Sequence, residues 1–316
     1  MKTLILKLNI LIILILLTAC EENFSPKSDF SEKYILYCVL NVDSSKQTAV
    51  LLKSYDVSGF DPYVNEYSPF VSGADIKIRQ KDNVYFMRDT SAIFESVSRY
   101  NDPISFYHVE NFQSIGNDSI EIVATLPTGK KLYSISKAPE NIVFDRSNSS
   151  ILPPEEADLF TFSWSNLGTN IWYLPKLEFY YIKDGITKTK LVPVTYQMVN
   201  GESEPVYPTT TNRNFVNFTT AALNTAFAEI SADDPAKSSY KILGAKLSVL
   251  VFNEPLSNYY STTNGFLDDF TIVLDETDYT NVSGGFGVFG ILKQQQTGAK
   301  FTEEFIQSFG YTVGLN

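Results

Sequence analysis

The feature that most narrows what this chain can fold into is a period-two alternation of apolar and polar side chains, broken at short intervals by turn residues. Ala74-Asp-Ile-Lys-Ile-Arg-Gln80 sets Ile76 and Ile78 on one side and Asp75, Lys77 and Arg79 on the other. That is the pattern of a strand with one face in a core and one in water. It recurs over Asn83–Arg88, Ser105–Glu110, Ser119–Ala124 and Lys131–Ser136, with Pro127-Thr-Gly129 as a turn. Upstream, Tyr34–Val42 is an apolar run of buried-strand length, and Gln47–Tyr55 follows the polar turn Asp43-Ser-Ser-Lys46, which predicts a hairpin. With 23 Phe and 19 Tyr favouring strands over helices, the chain is expected to be mainly β.

About seven strands in about a hundred residues predict an N-terminal β-sandwich, immunoglobulin-like or transthyretin-like, over residues 32–138. Residues 139–156 read as a linker because they hold Pro139, Asn148-Ser-Ser150 and Pro153-Pro154. A second sandwich-like, β-rich domain is expected over 157–316. It opens with Leu159–Trp164, whose Phe160, Phe162 and Trp164 share a face, and continues with strands at Trp172–Ile182, Lys190–Val199 and Lys246–Asn253 and a hairpin turn at Asp184-Gly185. One or two short helices interrupt it. Leu223, Phe227 and Ile230 have helical spacing within Thr219–Ile230, which Asp233-Asp-Pro235 closes. Pro255–Thr263 reads as a helical turn or short helix. Thr302–Phe309 has an N-cap threonine, Glu303 and Glu304 in its first turn, and Gly310 as a stop.

The first nineteen residues form a secretory signal: Lys2 and Lys7, a run from Leu8 to Leu17 broken only by Asn9, then small residues. About twenty apolar residues are needed to span a bilayer as a helix, and this run is half that. Leu17-Thr-Ala-Cys20 resembles the lipobox of bacterial lipoproteins, so Cys20 is expected to carry lipid, with residues 20–31 as a tether. Glu21 and Glu22 behind it resemble the export signal that sends Bacteroidetes lipoproteins to the outer face of the outer membrane. Loss of the signal removes two lysines and no acid, moving the formal charge from −11 to −13. Such a chain is a poor partner for nucleic acid, whose phosphates need a basic face. With Cys20 lipidated, Cys38 has no partner and reads as a buried structural thiol in an apolar strand. His108 is the sole imidazole, which removes multi-histidine metal sites.

Candidate sites are few, and no cofactor is expected. The loop Asp56–Ser72 carries Phe60, Tyr63, Tyr67 and Phe70, and Gly201–Asn214 carries Tyr207. Aromatics in such loops either contact a partner or cover the end of the sandwich. Asp268, Asp269, Asp275, Glu276 and Asp278 form an acidic cluster that could hold Ca2+, although EF-hand spacing is absent and a solvated strand-end turn is the better reading. His108 with Ser105, Asp102 and Glu110 contains the residue types of a hydrolase, but it falls in an alternating strand and no G-x-S-x-G elbow occurs. Gly285-Phe-Gly-Val-Phe-Gly290 fits the dinucleotide pattern G-x-G-x-x-G only formally. Extended apolar chain follows it where a helix is needed, so the glycines read as a bulge or close approach within a strand. Asp118-Ser-Ile120 looks like a short O-glycosylation motif of Bacteroidetes.

The lipobox, Val71-Ser-Gly-Ala-Asp-Ile76, the proline-bearing linker and above all Asn281-Val-Ser-Gly-Gly-Phe-Gly-Val-Phe-Gly290 together resemble the DUF4249 lipoproteins of Bacteroidetes. The resemblance covers nearly the whole mature chain and brings no catalytic residues with it. It implies a surface lipoprotein that works as a non-enzymatic accessory to a TonB-dependent, SusC-like receptor, an outer-membrane β-barrel protein. Two alternatives stand beside it: a subunit of another outer-membrane assembly or secretion complex, and a surface glycan or peptide hydrolase using paired carboxylates. The chain departs from the family in continuing from Lys293 to Asn316 with a tail expected to be helix-like.

Overall fold

The computed structural model describes residues 30–54, 68–92, 104–146, 150–153, 157–262 and 279–314. In the first part of the chain the alternating segments form β1 (Tyr34–Asn41), β2 (Gln47–Lys53), β3 (Asp75–Gln80), β4 (Asn83–Ala92), β5 (Ile104–Val109), β6 (Ile120–Thr125) and β7 (Lys131–Ser136). They pair antiparallel in the order β1-β2-β5-β4-β3-β6-β7. β4 pairs with β3 through Asn83–Met87 and with β5 through Arg88–Ala92. A strand that changes partner in this way lets a sheet turn a corner. All seven strands accordingly contribute to one core, with Leu36, Ala49, Ile76, Ile78, Met87, Tyr107, Ile122 and Leu132 buried together.

Downstream come the short β8 (Phe144–Asp145) and β9 (Ile151–Leu152), then β10 (Leu159–Trp164), β11 (Tyr173–Lys183), β12 (Ile186–Val192), β13 (Thr195–Val199), β14 (Glu202–Val206), β15 (Phe215–Thr219) and helix α1 (Thr220–Glu229). After them lie β16 (Lys241–Phe252), helix α2 (Glu254–Thr262), β17 (Phe286–Phe301), helix α3 (Glu303–Ser308) and β18 (Thr312–Val313). Mainly β is therefore the architecture: a large mixed sheet, the small sheet β15-β10-β8 and the hairpin β13-β14. Thr302, expected as an N-cap, acts as one, its hydroxyl accepting from the Phe305 amide, and Thr219 caps α1 in the same way by accepting from the Ala222 amide. Phe227 of α1 sits at the centre of a second core, its ring 4.4 Å from Phe179, 4.7 Å from Phe301 and 4.8 Å from Phe305. Among the described residues no helix is long and apolar enough to cross a membrane.

β17 belongs to both cores. Its first seven residues run parallel to β1, from Ile35 opposite Phe286 to Asn41 opposite Leu292. From Leu292 to Ala299 it pairs antiparallel with β16. Phe289 and Ile291 enter the first core and Ala299 the second. The glycines of the 281–290 segment make this approach possible. At Gly287, with φ +107°, a Cβ would overlap the Leu36 carbonyl, and at Gly290 it would lie 2.7 Å from Leu256 Cβ on α2. Just ahead of β17, Ser283 and Tyr133 exchange two backbone hydrogen bonds of 3.0 and 2.8 Å, which covers the outer edge of β7. Asn253, 4% exposed, fastens the junction: its amide donates to Ser136 Oγ and the Lys137 carbonyl, and its oxygen accepts from the amides of Ile291 and Leu256.

Three local expectations are corrected. The tail from Lys293 is strand through Phe301, because β16 lies beside it, and only Glu303–Ser308 is α-helical. Lys190–Val199 is not one strand: Pro193 lacks an amide for a ladder, so β12 ends at Val192 and β13 begins at Thr195. Gly201–Asn214 is not all loop, since Asn200 and Gly201, with φ +52° and +87°, form a tight turn that returns the chain as β14. The described part of the 139–156 stretch lies along β17. Gln295 accepts from the Ile142 amide (2.9 Å) and donates to the Glu140 carbonyl (3.2 Å), and Ile151 and Leu152 pair with Lys300 and Phe301.

Candidate functional site

The outward face of β4, β3, β6 and β7 exposes four large apolar side chains. Period two sends Ile76, Ile78, Ile120, Ile122 and Leu132 inward, and what remains outside is a mixture of charged and apolar side chains. Cross-strand register lines up Tyr133, Val123, Lys77 and Phe86 in one row and Ile135, Glu121, Arg79 and Val84 in the next. Phe86 is 62% exposed, Ile135 49%, Val84 40% and Tyr133 37%. Lys77 lies with its ammonium 5.9 Å from the Phe86 ring centroid and 3.5 Å from Asp75. Lys77, Arg79 and Glu121 on the two central strands divide the apolar side chains into a pair on β4 and a pair on β7, so the face mixes exposed apolar groups with charge. The sequence carried a signal for it, since Val84-Tyr-Phe-Met87 is apolar at both parities, so one parity had to face outward.

His108 lies on the outward side of β5, opposite Thr48 of β2 and Arg88 of β4. It lines an open depression of about 270 Å³ together with Lys46, Thr48, Thr90, Phe106 and Glu110. That volume falls below the range of about 300–1,000 Å³ usual for small-molecule pockets. Its Nδ1 is buried with no hydrogen-bond partner. Ser105, three residues earlier in the strand, points to the opposite face, so the two cannot form a nucleophile and base pair. Glu110 is paired with Lys46 at 3.5 Å. Cys38 is 1% exposed, and burial pushes its thiol up to about 12, which keeps it protonated and unreactive in the folded chain.

Sequence reading missed a polar cluster around Asp234. Its carboxylate accepts from the Ala236 amide (2.8 Å), Lys183 Nζ (3.0 Å) and the Tyr240 hydroxyl (2.9 Å). These donors, the Ala236 amide foremost, hold it down at about 2. A carboxylate so low is a poor general base, and the cluster instead fastens the turn after α1 to the end of β11. Among the described residues no three of His, Cys, Asp and Glu are grouped as metal ligands would be.

Of the residues singled out from sequence, Cys20, Glu21, Glu22, Phe60, Tyr63, Tyr67, Asp102 and the acidic set Asp268, Asp269, Asp275, Glu276 and Asp278 lie outside the described residues. Phe70 forms an isolated bridge with Leu52 and packs on a small cluster of Tyr37, Leu52, Tyr259 and Val288, so it covers the sheet. Tyr207 is 39% exposed beside the β13-β14 hairpin. Asp118 pairs with Lys81 at 2.7 Å.

Both segments that carry the family resemblance have structural work. The Tyr107 hydroxyl, buried, donates to the Val71 carbonyl (2.8 Å) and accepts from the Ala74 amide (3.0 Å). The Asn281 side chain pairs with both the amide and the carbonyl of Phe289, each at 2.9 Å. The glycine run lies in and beside a strand, with no helix after it to hold a pyrophosphate. No family model matches the chain, and no curated protein matches it either.

Proposed function

We propose that this chain is an outer-membrane lipoprotein, held by lipid on Cys20 and facing the cell exterior, that acts as a non-enzymatic binding or accessory subunit of a TonB-dependent, SusC-like receptor. The observation that carries the reading is Leu17-Thr-Ala-Cys20 followed at once by Glu21 and Glu22. One sulfur with several acyl chains suffices for stable anchoring. The exposed Phe86, Val84, Tyr133 and Ile135 face gives such a subunit a surface for an outer-membrane β-barrel partner. The two cores then belong to two sandwich-like modules, the first immunoglobulin-like or transthyretin-like, laced together by β17. Membership among the DUF4249 lipoproteins rests on the residues quoted for it and forms part of the same proposal.

The test is fractionation of cells followed by crosslinking on the intact surface. The account expects the protein in outer membranes, release of the Cys20→Ser variant from them, and an outer-membrane β-barrel among the crosslinked partners. A Cys20→Ser protein that stays membrane-bound, or repeated crosslinking that returns no β-barrel, overturns it.

A further inference from the structure

We infer that the end of the body at which the chain enters from its tether is a membrane-contacting face that rests on anionic lipid headgroups. The inference rests on the lipid-anchor reading above and says which way the anchored body is turned.

The topology brings one set of residues to that end. β1 begins there after Lys33, and β17 begins beside it, because Ile35 and Phe286 are register partners. β2 ends there, with Lys53 opposite Tyr34. The β6-β7 turn arrives at the same place, since a Cβ on Gly284 would meet the Lys131 carbonyl and one on Gly285 would meet the Tyr34 carbonyl and the Leu132 side chain. Lys33, Lys130 and Lys131 are exposed, and Lys53 is half-buried.

These lysines are arranged with aromatic rings. Lys33 Nζ lies 5.2 Å from the Phe286 centroid and Lys130 Nζ 5.2 Å from that of Tyr34, while Phe286 is itself 44% exposed. Among the described residues Lys33, Lys130 and Lys131 have no salt-bridge partner. Of the described acids near this level, Asp75 is engaged with Lys77 and Asp89 with the Gly73 amide at 2.6 Å, while Glu32 adjoins Lys33 in the chain. At the opposite end, Lys46 and Lys81 are each paired with an acid, Glu110 and Asp118.

Unpaired ammonium groups beside exposed rings suit the interfacial zone of a bilayer, where lysine stems cover apolar surface, the charge meets phosphate, and aromatic rings sit at headgroup depth. The position fits the anchor. About a dozen residues separate Cys20 from Lys33, a reach of at most about 45 Å even when fully extended, so this end stays within reach of the headgroups. In a mature chain with a net charge of −13, a group of lysines without an acidic partner among the described residues stands apart from the acidic average.

The experiment takes the lipidated protein purified from membranes and places it on vesicles of phosphatidylcholine with or without phosphatidylglycerol. Flotation reports the anchor, and the rate of lysine acylation by an N-hydroxysuccinimide ester, read by mass spectrometry, reports the face. On anionic vesicles acylation of Lys33, Lys130 and Lys131 is expected to slow about fivefold relative to protein in detergent. Lys188 and Lys241, at the level of the far end of β17, keep their rates. The protection is expected to vanish on pure phosphatidylcholine and in high salt, because exposed charges are screened. A K33E/K130E/K131E variant should still float, and a nitroxide placed at position 286 through Phe286→Cys should lose its headgroup-depth signal in that variant. Protein that floats while these lysines react as fast as in detergent, or lysines already protected in detergent, overturns the face and leaves the anchor standing. Protein that does not float removes the anchor, and the face with it.

Discussion

The first core is filled by Leu36, Ile76, Ile78, Ile120, Ile122 and Leu132, the second by Phe160, Phe162, Phe179, Phe218 and Phe227. The aliphatic core is built from strands that follow one another in the chain, yet it takes Val282, Phe289 and Ile291 from residues about 150 positions beyond β7. The aromatic core is drawn from residues 142–311, and so already contains the segment that closes it. Burial alone makes the two look equivalent. Both cores need β17, but the first must recruit it from outside the run of strands that builds the rest of that core, and such long-range parallel pairing is rewarded late. A core that is complete in sequence and a core that is complete in space are therefore different things in this molecule. β17 is what turns one into the other.

The comparison is broken most severely at Gly287. Gly287→Val sets a β-branched side chain against the Leu36 carbonyl at φ +107°. A loss of about 5 kcal/mol is expected from overpacking and backbone strain together, with the first core opening as β1 and β17 part. A urea titration followed by Cys38 reactivity measures it. Phe227→Ala removes the ring at the centre of the second core and should cost about 4 kcal/mol, read by Trp164 fluorescence in a Trp172→Phe background. If Cys38 stayed protected while Trp164 became exposed in that variant, the cores would be less coupled than β17 implies.

Asn253→Ala sharpens the same question with a smaller effect of about 2 kcal/mol, because it leaves the Ile291 amide buried without a partner at the junction of β7, β16 and α2. The Asp234 cluster, at the surface of the second half, should matter least. Its carboxyl is lower in the folded chain than unfolded, so its contribution is present above pH about 4 and is lost as pH falls toward about 2. Asp234→Asn should therefore be less stable than the parent protein at neutral pH, and thermal melts of the two should converge only as pH falls to about 2.

Much of this was legible in the chain. Ile76 and Ile78 name their own core face, Phe160, Phe162 and Trp164 theirs, and Thr302 announces the helix after it, because alternation and capping are local signals. The partner of β1 was not legible. Gly287 and Gly290 mark places where something comes close, but a glycine does not say that the neighbour is Leu36 or Leu256, some 250 residues upstream or some 35. The candidate surfaces divide in the same way. The apolar outward face of β4 shows in Val84-Tyr-Phe-Met87, where both parities are apolar. The lysine and aromatic end does not show, since Lys33, Lys53, Lys130 and Phe286 meet only when β1, β2, the β6-β7 turn and β17 are side by side. Solvent-facing residues gathered from distant segments carry no periodic mark.

The central claim, that β17 makes one cooperative body of two cores, can be tested with reporters the protein already has. Cys38 is buried in the first core at 1% exposure and Trp164 in the second at 2%. In Cys20→Ser/Trp172→Phe protein Cys38 is the sole thiol and Trp164 the sole tryptophan, so reaction of the one with a chromogenic disulfide and emission of the other can be followed through the same urea titration. Coincident midpoints are the predicted result. A thiol that becomes reactive well before the tryptophan emission changes would mean that the first core opens by itself, which contradicts the account.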